Sequence, residues 1–163
     1  MLAEKLGLKC ISSSDVVKAL VTNFRDSFAE FERRVRSGEV DIDLLIESKL
    51  KEFLDRNHGT TMVEGRSAFM LLNAPDAFKV LLVSPKEARA RHIAERRDIA
   101  LEESERAIRH SDSERRSFVE RLYDKDWLDA SNYDVVLNTG YRDYKDITKI
   151  LLATIKALSV TTE

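Results

Sequence analysis

Residues 78–83 read Phe-Lys-Val-Leu-Leu-Val, a nearly unbroken apolar run closed by Ser84-Pro85. A run this short has the length of a strand. Apolar side chains at successive positions alternate between faces, so the run predicts a strand covered on both sides, as in a parallel sheet flanked by helices. The rest of the chain fits that architecture. Residues 8–11, 60–64 and 133–137 are further short strand candidates. Helical patterns lie between them. Residues 16–36 place Phe24, Phe28 and Phe31 on one face. Residues 42–56 carry a stripe of Ile42, Leu45, Ile46, Lys49, Leu50, Phe53 and Leu54. Residues 86–122 are long and charged, and residues 143–158 bury Ile147, Ile150, Leu151, Ile155 and Leu158. Gly7 is placed to close a helix formed by the opening residues. Ser12, Ser13, Ser14 and Asp15 suit a loop that caps the next helix; a cap alone and a cap with a ligand contact both fit.

Strands alternating with helices predict an α/β fold with a parallel sheet. Such sheets bind ligands beyond the carboxyl ends of their strands. The residues expected there are polar: Ser12 to Asp15, Gly65-Arg66, Ser84 and Asn138-Thr139.

Composition narrows the function classes. The chain has 163 residues, 43% hydrophobic and 34% charged, which suits one folded domain with a core. Its net charge of -2 provides no global field toward nucleic acid or membrane. The opening residues carry charge and lack the apolar stretch of a signal peptide, and no apolar run approaches a membrane span. Cys10 is the sole cysteine, so an internal disulfide is impossible and a reducing, cytoplasmic setting is expected. His58, His92 and His110 show no metal-ligand spacing with Cys10 or with each other, so no protein metal site is expected. The expected assembly state is a monomer or weak oligomer.

Residues 86–121 contain nine of the sixteen arginines and nine acids. Surface ion pairs along a solvated helical pair would account for that composition. Two features argue for more. Arginine far outnumbers lysine here, and its planar fork matches phosphate oxygens. A break near Asp98-Ile99 makes a helix–turn–helix flap rather than one rod. Arginines on a flap over the mouth of an α/β sheet would neutralise a transferring phosphoryl group and exclude water. The interleaved acids argue against a nucleic-acid stripe.

With these elements in order, the sequence resembles the cytidylate kinase-like family over nearly its whole length. Val63-Glu64-Gly65-Arg66 looks like the family's strand followed by Gly-Arg. Residues 78–85 are similar to the strand before its lid, and Arg89, Ile93-Ala94 and Arg96 to the lid's start. Ser111-Asp112-Ser113-Glu114-Arg115-Arg116 resembles the lid's return. The segment from Asp126-Trp127 through Asn138-Thr139 is the most specific piece. The resemblance implies a P-loop-kinase-like parallel sheet in a single domain, with an acceptor-binding helical insertion at about 16–57 and a lid at about 86–122. It implies transfer of the ATP γ-phosphoryl group to CMP or dCMP with Mg²⁺. Ser13, Ser14, Asp15, Asp43, Gly65 and Arg66 would bind the acceptor nucleotide, with Ser13 at the base and Arg66 on the phosphate. Arg96, Arg115 and Arg109 would reach phosphates from the lid, and Asp112 would orient an arginine or the acceptor sugar. His92 stands where the family often has arginine or lysine. Trp127 is expected to pack rather than stack on a base.

Family members open with a strand and a Gly-x-x-x-x-Gly-Lys-Ser/Thr loop that cradles ATP phosphates. No such sequence occurs in these residues, and residues 1–8 resemble the later half of the helix that follows the loop. The implied first, central strand and its phosphate loop are therefore missing from this chain. A mis-assigned start or a truncation is the expectation; a complete natural chain of this form would turn over ATP weakly or not at all. The alternative reading is a non-catalytic homologue that binds nucleotide or a protein partner.

Overall fold

The computed structural model describes residues 1–23, 33–34, 36–57 and 59–159. The chain divides into two compact units, Met1–Met70 and Leu71–Glu163.

The first unit begins with α1 (Leu2–Leu6), ended by Gly7 in the left-handed conformation at φ 68. A glycine takes that turn without the strain a side chain would add. β1 (Lys9–Ser12) follows, then α2 (Ser13–Asn23). The expected loop at Ser12 to Asp15 is absent: the last strand residue abuts the first helical one. The capping chemistry is nevertheless there. Ser12 N–H and Oγ both donate to Asp15 Oδ2, at 2.9 and 2.7 Å, and Asp15 N–H reaches Ser12 Oγ at 3.3 Å. This reciprocal box satisfies the helix start without an intervening loop. α3 (Ile42–Arg56) is capped by Asp41, whose side chain accepts from the N–H groups of Asp43 and Leu44. β2 (Thr61–Glu64) lies parallel to β1, with Ser12 beside Glu64 at the carboxyl ends. Ile11, Val16, Ile46 and Leu50 form the core of this unit, with Ile42, Leu45, Phe53, Leu54, Val63 and Met70 packed on it. The predicted α3 stripe is thus the core-facing stripe, except at Lys49. That side chain is 45% exposed and pairs with Glu52 at 2.8 Å, because an ammonium keeps its hydration unless it is fully paired. A single 3-10 segment, Arg66–Leu71, leaves β2.

In the second unit β3 (Val80–Val83) pairs parallel with β4 (Val135–Asn138), Val80 beside Val135 and Val83 beside Asn138. α4 (Lys86–Arg97) and α5 (Leu101–Tyr123) form the helical hairpin, and α6 (Tyr144–Ser159) ends the described chain. Asp98, in the left-handed conformation at φ 54, stops α4 where the sequence places the break. At the crossing, Ala90 and Ser104 are wholly buried, and Ser104 Oγ donates to Ala90 O at 2.7 Å. Small residues there let the two helix backbones approach closely.

Three expectations need correction. The sheet consists, among the described residues, of two separate two-stranded parallel pairs rather than one sheet. β3 is not covered on both faces: Leu81 is buried, but Leu82, on the opposite face, is 51% exposed, as is Val136 at 43%. An all-apolar run looks the same in sequence whether one face or both are covered. The strands also start one to two residues later than their apolar patterns suggest, because pairing is set by the partner strand rather than by hydropathy. Phe24, Phe28, Phe31 and His58 lie outside the described residues.

Candidate nucleotide site

The acceptor-side candidates all belong to the first unit, and all but Asp43 lie at the carboxyl ends of β1 and β2. Register brings Ser12 beside Glu64, so Ser13 and Gly65 come next on adjacent tips. Gly65 has φ 82, and a Cβ built on it would lie 3.6 Å from Ser13 Oγ. A side chain there would find ordinary van der Waals distance, so the turn suits glycine by conformation rather than by lack of space. Ser13 is half-buried and Ser14 exposed. Asp15 is also exposed, but its carboxylate is engaged with Ser12, whose hydroxyl and N–H hold it below its ordinary pKa. Asp15 is first a capping residue. Arg66 is exposed at the start of the 3-10 segment, directly beyond the β2 tip. Asp43 sits half-buried in the first turn of α3, its N–H bonded to Asp41. Hydroxyls and a guanidinium at strand ends can hold a phosphate and the polar edge of a base.

The lid candidates belong to the second unit. Arg89 on α4 meets Asp112 on α5 in a two-pronged ion pair, Nη1 to Oδ1 at 2.9 Å and Nη2 to Oδ2 at 2.7 Å. Both partners respond: hydrogen bonding from Arg89 holds the Asp112 carboxyl below its usual range, and the same bond raises Arg89. Arg115 approaches Asp112 at 3.6 Å from the next turn of α5. Its guanidinium also lies over the Trp127 ring, 5.0 Å from the centroid, at cation–π distance. Trp127 is buried, and Tyr133 Oη donates to its carbonyl at 2.6 Å. Trp127 packs, as its sequence context suggests, and it does so partly as a support for an arginine.

Other lid residues stand apart from this group. Arg109 is exposed and pairs with Glu105 at 3.6 Å. Arg96 is exposed in the last turn of α4, seven residues beyond Arg89 and so on the same helical face. His92 Nε2 lies 3.1 Å from Tyr144 Oη, which joins α4 to the start of α6. At the tips of β3 and β4, polar groups serve the fold. Thr139 donates to Val83 O through both N–H and Oγ1, at 2.8 and 3.1 Å, and Asn138 Oδ1 accepts from Gly140 N–H at 2.9 Å. Among the described residues, no three His, Cys, Asp or Glu side chains gather as a metal site. No described helix is long and apolar enough to cross a membrane.

The sequence reading missed the part played by Arg89. It lies 23 residues from Asp112, and only the position of the hairpin turn brings the two together. The available signal was an Arg near the start of one helix and an Asp midway along the next, the two joined by a short break at Asp98.

Comparison with known proteins identifies the family. The profile of the cytidylate kinase-like family matches residues 1–141. A cytidylate kinase of Methanobrevibacter smithii is 28% identical over 97% of this chain and 90% of its own length. One from Archaeoglobus fulgidus is 29% identical, covering 98% of this chain and 87% of that protein. One from Methanothrix thermoacetophila reaches 31% over 96% and 88%. The crystal structure of an uncharacterized protein from Eubacterium ventriosum superposes with a TM-score of 0.72 at 15% identity, over 96% of this chain and 88% of that one, a likeness of fold. With a family profile spanning most of its residues and relatives matched nearly end to end, the chain belongs to the cytidylate kinase-like family.

Proposed function

We propose that this protein is a nucleoside monophosphate kinase that moves the γ-phosphoryl group of ATP to CMP or dCMP. The observation that carries the reading is the near full-length match to proteins named cytidylate kinase. The geometry supports it with polar β1 and β2 tips ending in Arg66 and an arginine-bearing helical hairpin around Asp112.

In this reading the two units work as one catalytic domain. The first takes the acceptor: Ser13 and Ser14 contact the base side, Gly65 admits the nucleotide close to backbone, Arg66 grips its phosphate, and Asp43 lies in the acceptor insertion. Asp15 contributes by fixing the Ser13–Ser14 turn. The second unit supplies charge to the transferring group through Arg115, with Arg96 and Arg109 reaching from exposed positions. Asp112 orients arginines rather than the acceptor sugar, since both its oxygens are already taken. Catalysis is positioning and charge stabilisation, with no covalent enzyme intermediate. Among the described residues no three His, Cys, Asp or Glu side chains gather, so these residues would not cage Mg²⁺ by themselves, and the ion would supply charge to the ATP phosphates.

A coupled assay on a version extended upstream, with ATP–Mg²⁺ and CMP, dCMP, UMP or AMP, tests the reading. Turnover with CMP or dCMP above the others is expected; no turnover of any monophosphate overturns it. A second reading, a non-catalytic homologue that still binds nucleotide, is favoured by one fact: these 163 residues contain no Gly-x-x-x-x-Gly-Lys. Saturable CMP binding without turnover would select it.

A further inference from the structure

The kinase reading leaves one stretch of sequence without a task, the segment from Asp126-Trp127 to Tyr133-Asp134 between α5 and β4. It is braced within itself and against the sheet. Lys125 Nζ donates to Asn132 Oδ1 at 3.0 Å, and Asn132 Nδ2 donates to Asp126 O at 3.1 Å. At its far end Asp134 is locked to the residue before β3. Lys79 N–H donates to Asp134 Oδ2 at 2.6 Å, and Asp134 N–H returns to Lys79 O at 2.9 Å. Tyr133, next to this lock, reaches back and donates its hydroxyl to Trp127 O at 2.6 Å. Burial pushes the Tyr133 hydroxyl above its ordinary pKa, so the proton this bond needs is in place at neutral pH. The tyrosine thus ties the position of Trp127 to the sheet as well as to its own loop.

On its other side Trp127 meets the hairpin. Its indole lies under the Arg115 guanidinium of α5, 5.0 Å from ring centroid to cation. Arg115 is at the same time within ion-pair distance of Asp112, which Arg89 grips and on which Lys86 also acts. These contacts are compatible. An arginine over a ring face can keep the N–H donors along its edge for carboxylates or phosphates. What the indole supplies is alignment rather than charge.

We propose that Tyr133 is a positioning residue: by holding the Trp127 carbonyl it fixes the indole as a seat that aligns Arg115 for a polyphosphate. The proposal rests on the kinase reading of the lid. An unseated arginine side chain samples many rotamers, and ordering it at the moment of binding costs affinity. A seat tied to the sheet does that ordering beforehand. The Tyr133 hydroxyl bonds the main chain of Trp127, so replacing the indole leaves the partner of that bond in place. Bracing the loop and seating the arginine can therefore be told apart.

The test is a double-mutant cycle in the full chain, read by calorimetric titration with sodium tripolyphosphate. Tyr133→Phe is expected to weaken binding about fivefold, and Trp127→Leu about fivefold to tenfold. The double variant is expected to bind within about twofold of Trp127→Leu, because Tyr133 then has no seat left to hold. A plain loop brace gives another pattern. Tyr133→Phe then binds within about twofold of the unaltered chain, or costs about the same factor whether or not the indole is present. Either result overturns the proposal, as does Trp127→Leu binding as tightly as the unaltered chain. Should Trp127→Leu lose its helical circular dichroism, fluorotryptophans at this sole tryptophan take its place. Fluorine draws charge from the ring face that attracts the cation. Stepwise weaker binding along the fluorine series is expected in the unaltered chain, and a change under about twofold in Tyr133→Phe. A flat series in the unaltered chain, or equal series in both, overturns the proposal. Absence of tripolyphosphate binding in the unaltered chain overturns the phosphate-binding lid itself and the proposal with it. Binding without coupling between Tyr133 and the indole sinks the proposal alone.

Discussion

Gly140 shows how little room the second unit leaves at its strand tips. It follows Thr139, which is doubly bonded to Val83 O, and a Cβ placed on it would overlap Pro85 Cδ and lie 3.1 Å from Ser84 Oγ. The proline ring is covalently stiff and opens the segment that becomes α4, so it cannot step aside cheaply. Gly140→Ala should therefore cost about 1–3 kcal/mol, the usual range for overpacking, and should lower the melting temperature in a calorimetric scan. An unchanged melting curve would mean the tips part freely and that α4 is not anchored there. Gly65 makes a contrast, since its neighbour Ser13 Oγ is at ordinary contact distance and its requirement is the positive φ alone.

Among elements, α2 depends most on a single local device. Its start is satisfied by the Ser12–Asp15 box, with no loop to share the work. Ser12→Ala should cost about 1 kcal/mol, the common size of a lost N-cap, seen as a lower urea midpoint with unchanged slope. A midpoint within error of the parent would show that tertiary packing, not the cap, sets this helix. The cap was legible in sequence because Ser-x-x-Asp has a fixed local geometry. So were the α3 stripe, the Gly7 stop and the break at Asp98, each set by residues within a turn of one another. What escaped were features fixed by distant partners. The grouping of strands into two pairs, the exposure of Leu82 and Val136, and the meeting of Arg89 with Asp112 depend on which segments lie alongside in space. Of the site, residue types and their helices or strand ends could be read ahead. That the arginine held by Asp112 is Arg89, from the other helix of the hairpin, could not.

For the whole molecule, the kinase reading divides labour between two units that each have their own strands and helices. Hydrogen–deuterium exchange can check that division. Saturating CMP should slow exchange at residues 12–16 and 64–68 in the first unit, and tripolyphosphate should slow it along residues 86–123 in the second. Backbone protection typically rises where a bound ligand suppresses local opening. Protection by CMP confined to residues 86–123 would reverse the assignment of acceptor and phosphate sides. Equal effects of the two ligands on both segments would show that the units do not separate the tasks.

The two aspartates that bracket α5, Asp98 before it and Asp124 at its end, both hold left-handed backbone angles that side chains disfavour. Neither is a glycine, so neither gives the slack a swivel would have. Between them the 23 residues of α5 make an unbroken arm of about 35 Å at 1.5 Å per residue. Such an arm acts as a lever: a tilt of about 10° at one end carries the other about 6 Å, and its middle, where Asp112 sits, about half as far. Small rotations at either bracket are thereby magnified into distances comparable to the width of a phosphate group.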